Sequence, residues 1–401
     1  SEKQCVALCP GRNAESRQSP TQTSGGRDER EFSCTGIPVR TVIRRLAVTA
    51  PHRLGCSQHG GMQLASHDAL PSPVELLAVR EEQSAGGRLR SDSRYVRVRR
   101  GIYAAHKAWT ALTPWQRYLA RVHAYALINP DAIFSHESAA ALLGLPVIGE
   151  PIDIHVFDPE RARSARYGDV VLHTSQDGRG YAVLGMLNVT DMAHTAIDLA
   201  RVLPPAFGLA VVDAALARPG AGFELSELAD LAAAQDSGRG RARLRWIWQH
   251  ADPRSESVGE SVSRAAIEWL GFEQPELQVE LRNEGYLDRV DFAWLRVRAL
   301  GESDGYGKYF AADPDETRTR LIDEKRREDR LRRSARGFAR WDWAAAMRAT
   351  PLGEKLHAAG VPQLRHPQRV MLASLRRHPR SFDRRGSLAP RDSVVRPKNS
   401  A

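Results

Sequence analysis

The chain has 401 residues, 42% hydrophobic and 26% charged, which suits a globular protein of two or three domains. It holds no run of about 18 apolar residues and opens on no apolar leader, so neither a membrane span nor a signal peptide is expected, and the expected location is cytoplasmic. The net charge of +10 lies at the ends: residues 361–401 carry ten Arg/Lys against two Asp, and residues 1–61 nine against five, which leaves the middle at −2.

Residues 1–61 are rich in Ser, Gly, Arg and Pro and show no period, so this reading takes them as a disordered extension upstream of Met62. All four cysteines (Cys5, Cys9, Cys34 and Cys56) fall there, with 3, 24 and 21 residues between them. That spacing lacks the C-x-x-C pair of a zinc knuckle, and the cysteine-free body suits a reducing compartment.

Residues 62–128 come next. A short helix is expected from Val74 to about Gln83, ending at Gly86-Gly87. RYVRVRRGIYAA then alternates, with Tyr95, Arg97 and Arg99 on one face and Val96, Val98 and Arg100 on the other. Six arginines lie between positions 88 and 100 against the single Asp92. A helix followed by a basic hairpin is what a winged-helix DNA-binding module needs, with Arg94, Arg97, Arg99 and Arg100 on phosphates. The competing reading is an edge strand guarded by charge.

Thr113-Pro114 starts a helix, Thr as N-cap and Pro at the first helical position. Over 129–250, SHESAAALLGLP reads as a helix capped by Ser135 and stopped by Gly144 and Pro146. PIDIHVF and DVVLHTS alternate as strands, and TDMAHTAIDLARVL and LAVVDAALA read as packed helices. His136, His155, His173 and His194 stand at no ligand spacing and read as structural or exposed. The stretch VRVRRGIYAA…SHESAAALLGLP…TAIDLAR resembles AbiEi-type antitoxins, over roughly 74–250. The resemblance implies a winged helix joined to an α/β region, DNA as a partner, a repressor role and a cognate toxin.

Asp252-Pro253 marks the next boundary, and residues 252–349 hold the acidic motif. SESVGESVSRAAIEWLG is a helix with Ser255 as N-cap, an apolar stripe of Val258, Val262, Ala265 and Trp269, and Gly271 at its end. Glu256 and Glu260 lie four apart on one face. PELQVEL, YLDRVDFAWL and RALGESDGY read as three strands. Val290 and Phe292 should face away from Asp291, while Glu302 and Asp304 share a face and a tight turn sets Asp291 beside them. Three converging carboxylates, with Glu260 from the helix, raise one another's pKa unless a cation neutralises them, and hard oxygens suit Mg²⁺ or Mn²⁺. Asp291, Glu302 and Asp304 are the candidate metal ligands. Gly305 allows close backbone approach, and Lys308 then offers a cation. The competing reading is a charged, solvated hairpin.

Glu260, the VDF aspartate Asp291, and Glu302 with Asp304-Gly305 in ESDG resemble the PD-(D/E)-x-K nuclease superfamily. More narrowly, they resemble a domain of unknown function related to Vsr endonucleases, over about 252–345. The resemblance implies an α/β/α fold with a mixed sheet and metal-dependent phosphodiester hydrolysis. The superfamily's lysine two residues after the glutamate is Asp304 here. Either Lys308 or Lys325 replaces it, or the site is degenerate and the chain an antitoxin-like regulator.

A helix over about 316–336 carries nine Lys/Arg, with Asp323–Arg327, Glu328–Arg332 and Asp329–Arg333 as i,i+4 pairs and Lys325 and Arg326 as the inward-facing cations left for phosphates. The tail, 350–401, shows no period and is expected to be disordered, adding salt-sensitive affinity for nucleic acid.

Overall fold

The computed structural model describes residues 69–79, 89–304, 314–376 and 380, with the backbone alone for 314–321. The cysteines, the 1–61 extension, Gly305, Lys308 and residues 381–401 lie outside the described residues. Among the described residues the chain is an α/β protein with three sheets. Among the described residues no helix is long and apolar enough to cross a membrane.

The first sheet is antiparallel, in the order β1 (Leu77–Ala78), β3 (Ile102–Ala105), β2 (Tyr95–Arg99). The basic hairpin forms, turning at Arg100-Gly101, where Gly101 has φ +73°. The helix expected from Val74 does not begin there. Leu77 and Ala78 pair instead with Tyr103 and Ile102, and Val74 is buried with Ala104 and Ala120. A sheet edge and an apolar pocket override the local helical pattern. Then follow α1 (His106–Ala111) and α2 (Pro114–Ala126). Thr113 caps α2 in a capping box with Gln116, whose side chain accepts the Thr113 amide at 2.9 Å.

The second sheet is mixed, in the order β6-β7-β5-β4-β9-β8. Its elements are β4 (Ile133–Phe134), α3 (His136–Leu143), β5 (Ile154–Phe157), β6 (Ala165–Tyr167), β7 (Val170–His173), β8 (Tyr181–Leu184) and β9 (Leu187–Thr190). α3 and α2 cover it, burying Leu142, Tyr118 and Val122 against Phe134, Ile154 and Val189. Gly144 closes α3 at φ +70°, as expected, but the Ser135 side chain makes no capping bond. Four helices follow: α4 (Met192–Val202), α5 (Pro205–Leu216), α6 (Leu225–Ala233) and α7 (Arg241–His250).

The last sheet runs β10 (Glu276–Asn283), β11 (Tyr286–Trp294), β12 (Ala299–Asp304), β13 (Gly337–Asp342). The first three strands are antiparallel and β13 is parallel to β12. α8 (Val258–Trp269) precedes it and α9 (Pro314–Ser334) links β12 to β13. After β13 come α10 (Trp343–Arg348), α11 (Thr350–Ala358) and α12 (Arg369–Ser374). One face of the sheet buries Phe292, Trp294 and Trp341 with α8 and α10; the other buries Val290, Ala293 and Leu300 with Leu331 of α9. Val290 and Phe292 therefore belong to opposite layers, contrary to simple alternation. The N-cap of α8 is Ser257, not Ser255, because Ser255 bonds the Ser261 hydroxyl instead (2.9 Å).

The tail expected to be disordered from 350 is structured through residue 376: Leu352, Leu356, Val361 and Leu375 are buried in the same core as α8. Four spaced apolar residues suffice where a neighbouring surface receives them. That core also runs across 250–252, joining Phe207 and Leu209 of α5 to Trp269 and Trp341.

Candidate active site

β11 and β12 pair only as far as Phe292↔Gly301, while β12 stays with β13 to Asp304↔Asp342. Where the two strands part, Asp291 Oδ2 accepts the amide of Ser303 at 3.0 Å. At Gly301, the last residue of β12 paired with β11, a Cβ would stand 2.8 Å from the Trp341 ring. Glu302 follows on β12, 4% exposed. The first turn of α8 brings in Glu260, which is also buried.

Glu260 accepts from the Ser257 hydroxyl at 2.7 Å, the Glu256 amide at 3.0 Å and Gln278 Nε2 at 2.8 Å. Its pKa is raised, first by burial and then by the charge of Asp291. Burial likewise pushes Glu302 up to about 7; Arg327 opposes this, and Asp291 and Glu324 add to it. Arg327 Nη2 donates to Glu302 Oε1 at 2.5 Å, and Nη1 donates to the Arg289 carbonyl at 2.8 Å. Burial acts against the Arg327 charge too, but Glu324 and Glu302 together hold its pKa above the ordinary value. Two carboxylates thus outweigh burial at the arginine, whereas one arginine does not outweigh it at Glu302.

The predicted acids divide. Asp291 comes within electrostatic reach of both Glu260 and Glu302. Asp304 is held by Arg340, whose Nη2 lies 2.6 Å from Oδ1 and whose Nη1 bonds Glu328 at 2.6 Å. The predicted metal set of Asp291, Glu302 and Asp304 is not assembled: among the described residues no three His, Cys, Asp or Glu side chains surround a point that could hold a metal ion.

The inward-facing cations on α9 are corrected as well. Lys325 pairs with Asp329 and is 64% exposed; Arg326 lies 3.6 Å from Asp323 and is 72% exposed. Leu331 is the residue of α9 that anchors it on the sheet. Positions four and seven before it, Arg327 and Glu324, share its face, whereas 325 and 326 turn away. Glu328–Arg332 forms as predicted, but Arg327 pairs with Glu302 and Glu324, and Arg333 with Glu284.

Two residues the sequence did not single out complete the site. Arg327 was one basic residue among many. Gln278 sits in the strand slot between Leu277↔Phe292 and Val279↔Val290 with φ +54°, a conformation costly to any residue bearing a Cβ. No signal short of the structure marks that position.

On the hairpin, Arg94 pairs with Asp92 at 2.8 Å, and Arg97 and Arg100 are exposed. Arg99 does not share the exposed face of Arg97. It forks onto Asp169 at 2.7 and 3.1 Å and lies 4.9 Å from the Tyr125 ring centroid. A bulge between Arg97 and Arg99 breaks the two-residue alternation and swings Arg99 inward.

No protein-family model, no curated protein and no solved structure matches this chain.

Proposed function

We propose that the chain is a metal-dependent DNA endonuclease, and that Glu260, Asp291 and Glu302 form its acidic centre. The observation that carries this reading is Asp291 within electrostatic reach of two buried glutamates, Glu260 from a helix and Glu302 from a parting strand, with Glu302 raised to about 7. Perturbed acids gathered at such a junction are what a catalytic centre requires. The donor set fits Mg²⁺ in a limited way: Asp291 and Glu302 supply two carboxylates, and this ion keeps waters and phosphate oxygens for its other positions. Bound there, it would supply charge stabilisation and a more acidic water.

The chain's own residues have separate tasks. Asp291 is oriented by the Ser303 amide. Glu260 is fixed by Ser257, Glu256 and Gln278, so its field on Asp291 is constant. Arg327 stands on Glu302, where a phosphate oxygen would find a guanidinium, the role that Lys325 cannot take from the exposed face of α9. Lys308 lies outside the described residues. Arg97 and Arg100, exposed on the hairpin, are the residues proposed to meet DNA phosphates.

A second reading is an antitoxin-like transcriptional regulator, partnered by a cognate toxin, whose nuclease-like part only supports DNA binding. The ion pairs Arg327–Glu302 and Arg340–Asp304 favour it, because they neutralise with the chain's own cations the acids that a metal would use. Supercoiled plasmid incubated with the purified chain, with and without Mg²⁺ or Mn²⁺, separates the two. Nicking or cutting that needs the ion and disappears in Asp291→Asn supports the enzyme. Salt-sensitive plasmid retention with no cleavage under any metal supports the regulator.

A further inference from the structure

Three of the histidines that the sequence leaves unrelated meet in the middle sheet. His136 and Glu137 open α3, His155 stands on β5, and His173 ends β7. Parallel pairing of β5 with β7 sets His173 opposite Phe157, two residues from His155. The His136 and His173 rings stack with centroids 3.8 Å apart, and His155 lies 5.1 Å from His173. His155 Nδ1 and His173 Nε2 share a 2.9 Å hydrogen bond. His136 reaches the stack from a left-handed backbone, φ +48°, which costs energy in any residue bearing a Cβ.

Beside these rings lies Arg380, 243 residues downstream of Glu137. Its Nε and Nη2 bond the two oxygens of Glu137, and Nη2 stands 3.3 Å from both nitrogens of His155. Nη2 is thus equidistant from the two ring nitrogens. Glu137 is 3% exposed and needs a cation there. Burial, together with neighbouring charges, keeps all three histidines below their ordinary pKa. The other nearby charges are engaged elsewhere: Arg166 on Asp153 at 2.6 Å, and Arg179 on Asp198 at 3.3 Å. Arg239 contributes only a more distant repulsion at His173.

We propose that this pocket is a guanidinium receptor, which takes the arginine side chain of residue 380 and so fastens that point of the chain to the middle sheet. The carboxylate accepts two parallel N–H groups, and the His155 ring nitrogens stand beside the same flat, weakly hydrated cation. An ammonium has neither the fork nor the plane, so lysine would not serve.

Full-length Arg380→Ala, Arg380→Lys and Glu137→Gln variants test this by thermal unfolding in millimolar methylguanidinium, with methylammonium at equal ionic strength as control. Arg380→Ala and Arg380→Lys should each lose about 5 °C or more. Methylguanidinium alone should return part of that loss to Arg380→Ala, saturably, and should return nothing when Glu137→Gln is combined with it. Should Arg380→Ala fail to fold, Arg380→Lys decides: a melting point equal to the wild type's overturns the proposal. So does an Arg380→Ala variant that melts like the wild type, or one that responds equally to both cations.

Discussion

Glu302 and the buried histidines pull the stability of the fold in opposite directions with pH. Burial raises Glu302 from 4.5 to about 7, so its contribution is fully present below 4.5 and is lost as pH rises through 7. Burial lowers His155 from 6.5 to about 4 and His173 to about 3, so theirs is present above 6.5 and lost as pH falls through those values. Glu302→Gln removes only the first effect. It should leave the fold unchanged or slightly stabilised at pH 8 and should steepen the loss between pH 7 and 4, as melting curves across that range will show. Arg327→Met leaves Glu302 buried without its cation. It should cost about 2–4 kcal/mol at pH 8 and much less at pH 5, where the carboxyl is protonated. Equal losses at the two pH values would mean that Arg327 acts through packing and not through charge.

At the scale of elements, a glycine beside the acidic centre and a helix cap elsewhere in the chain can be broken one at a time. Gly301 lies where a Cβ would meet Trp341 at 2.8 Å and Trp294 at 3.0 Å, both rings buried. Gly301→Ala should therefore cost about 1–3 kcal/mol and disturb the parting of β11 from β12. The metal binding proposed for Asp291 and Glu302, followed by titration calorimetry, should weaken with it. Thr113→Ala removes the capping box of α2, far from the acids, and should cost about 1 kcal/mol with no effect on any metal titration. The contrast separates damage to the site from a general loss of stability. Much of this scale was legible in the chain. Thr113-Pro114, Gly144 and the alternation of 95–99 mark elements that form where expected. The bulge at Arg99 and the strand at Leu77 did not announce themselves, because partner strands create them.

For the whole molecule, one core extends from α4 through α11 and on to Leu375. Protease resistance should therefore end beyond Leu375, not near Thr350. Leu356, fully buried, should cost about 2–5 kcal/mol when cut back to alanine, a loss that chemical denaturation would measure. A change well under 1 kcal/mol would mean that α11 lies loosely on the core. Because Phe207, Trp269 and Trp341 belong to that core, tryptophan fluorescence and far-ultraviolet dichroism should report one coincident transition for residues 192–375.

The sequence by itself determined the elements whose causes are local: caps, glycine stops, two-residue alternation, and the placement of Glu260, Asp291 and Glu302 on a helix and two neighbouring strands. Those signals act within a few residues, so no partner is needed to read them. Only the tertiary structure decided which charges meet. It turned Asp304 to Arg340, chose Arg327 over Lys325 by anchoring α9 at Leu331, and bent Arg99 inward at a bulge. It also gathered His136, His155 and His173 around an arginine 243 residues away from Glu137. The physical reason is range: a cap or a turn is settled by neighbours in sequence, whereas a buried charge takes its partner from whatever the packing brings alongside.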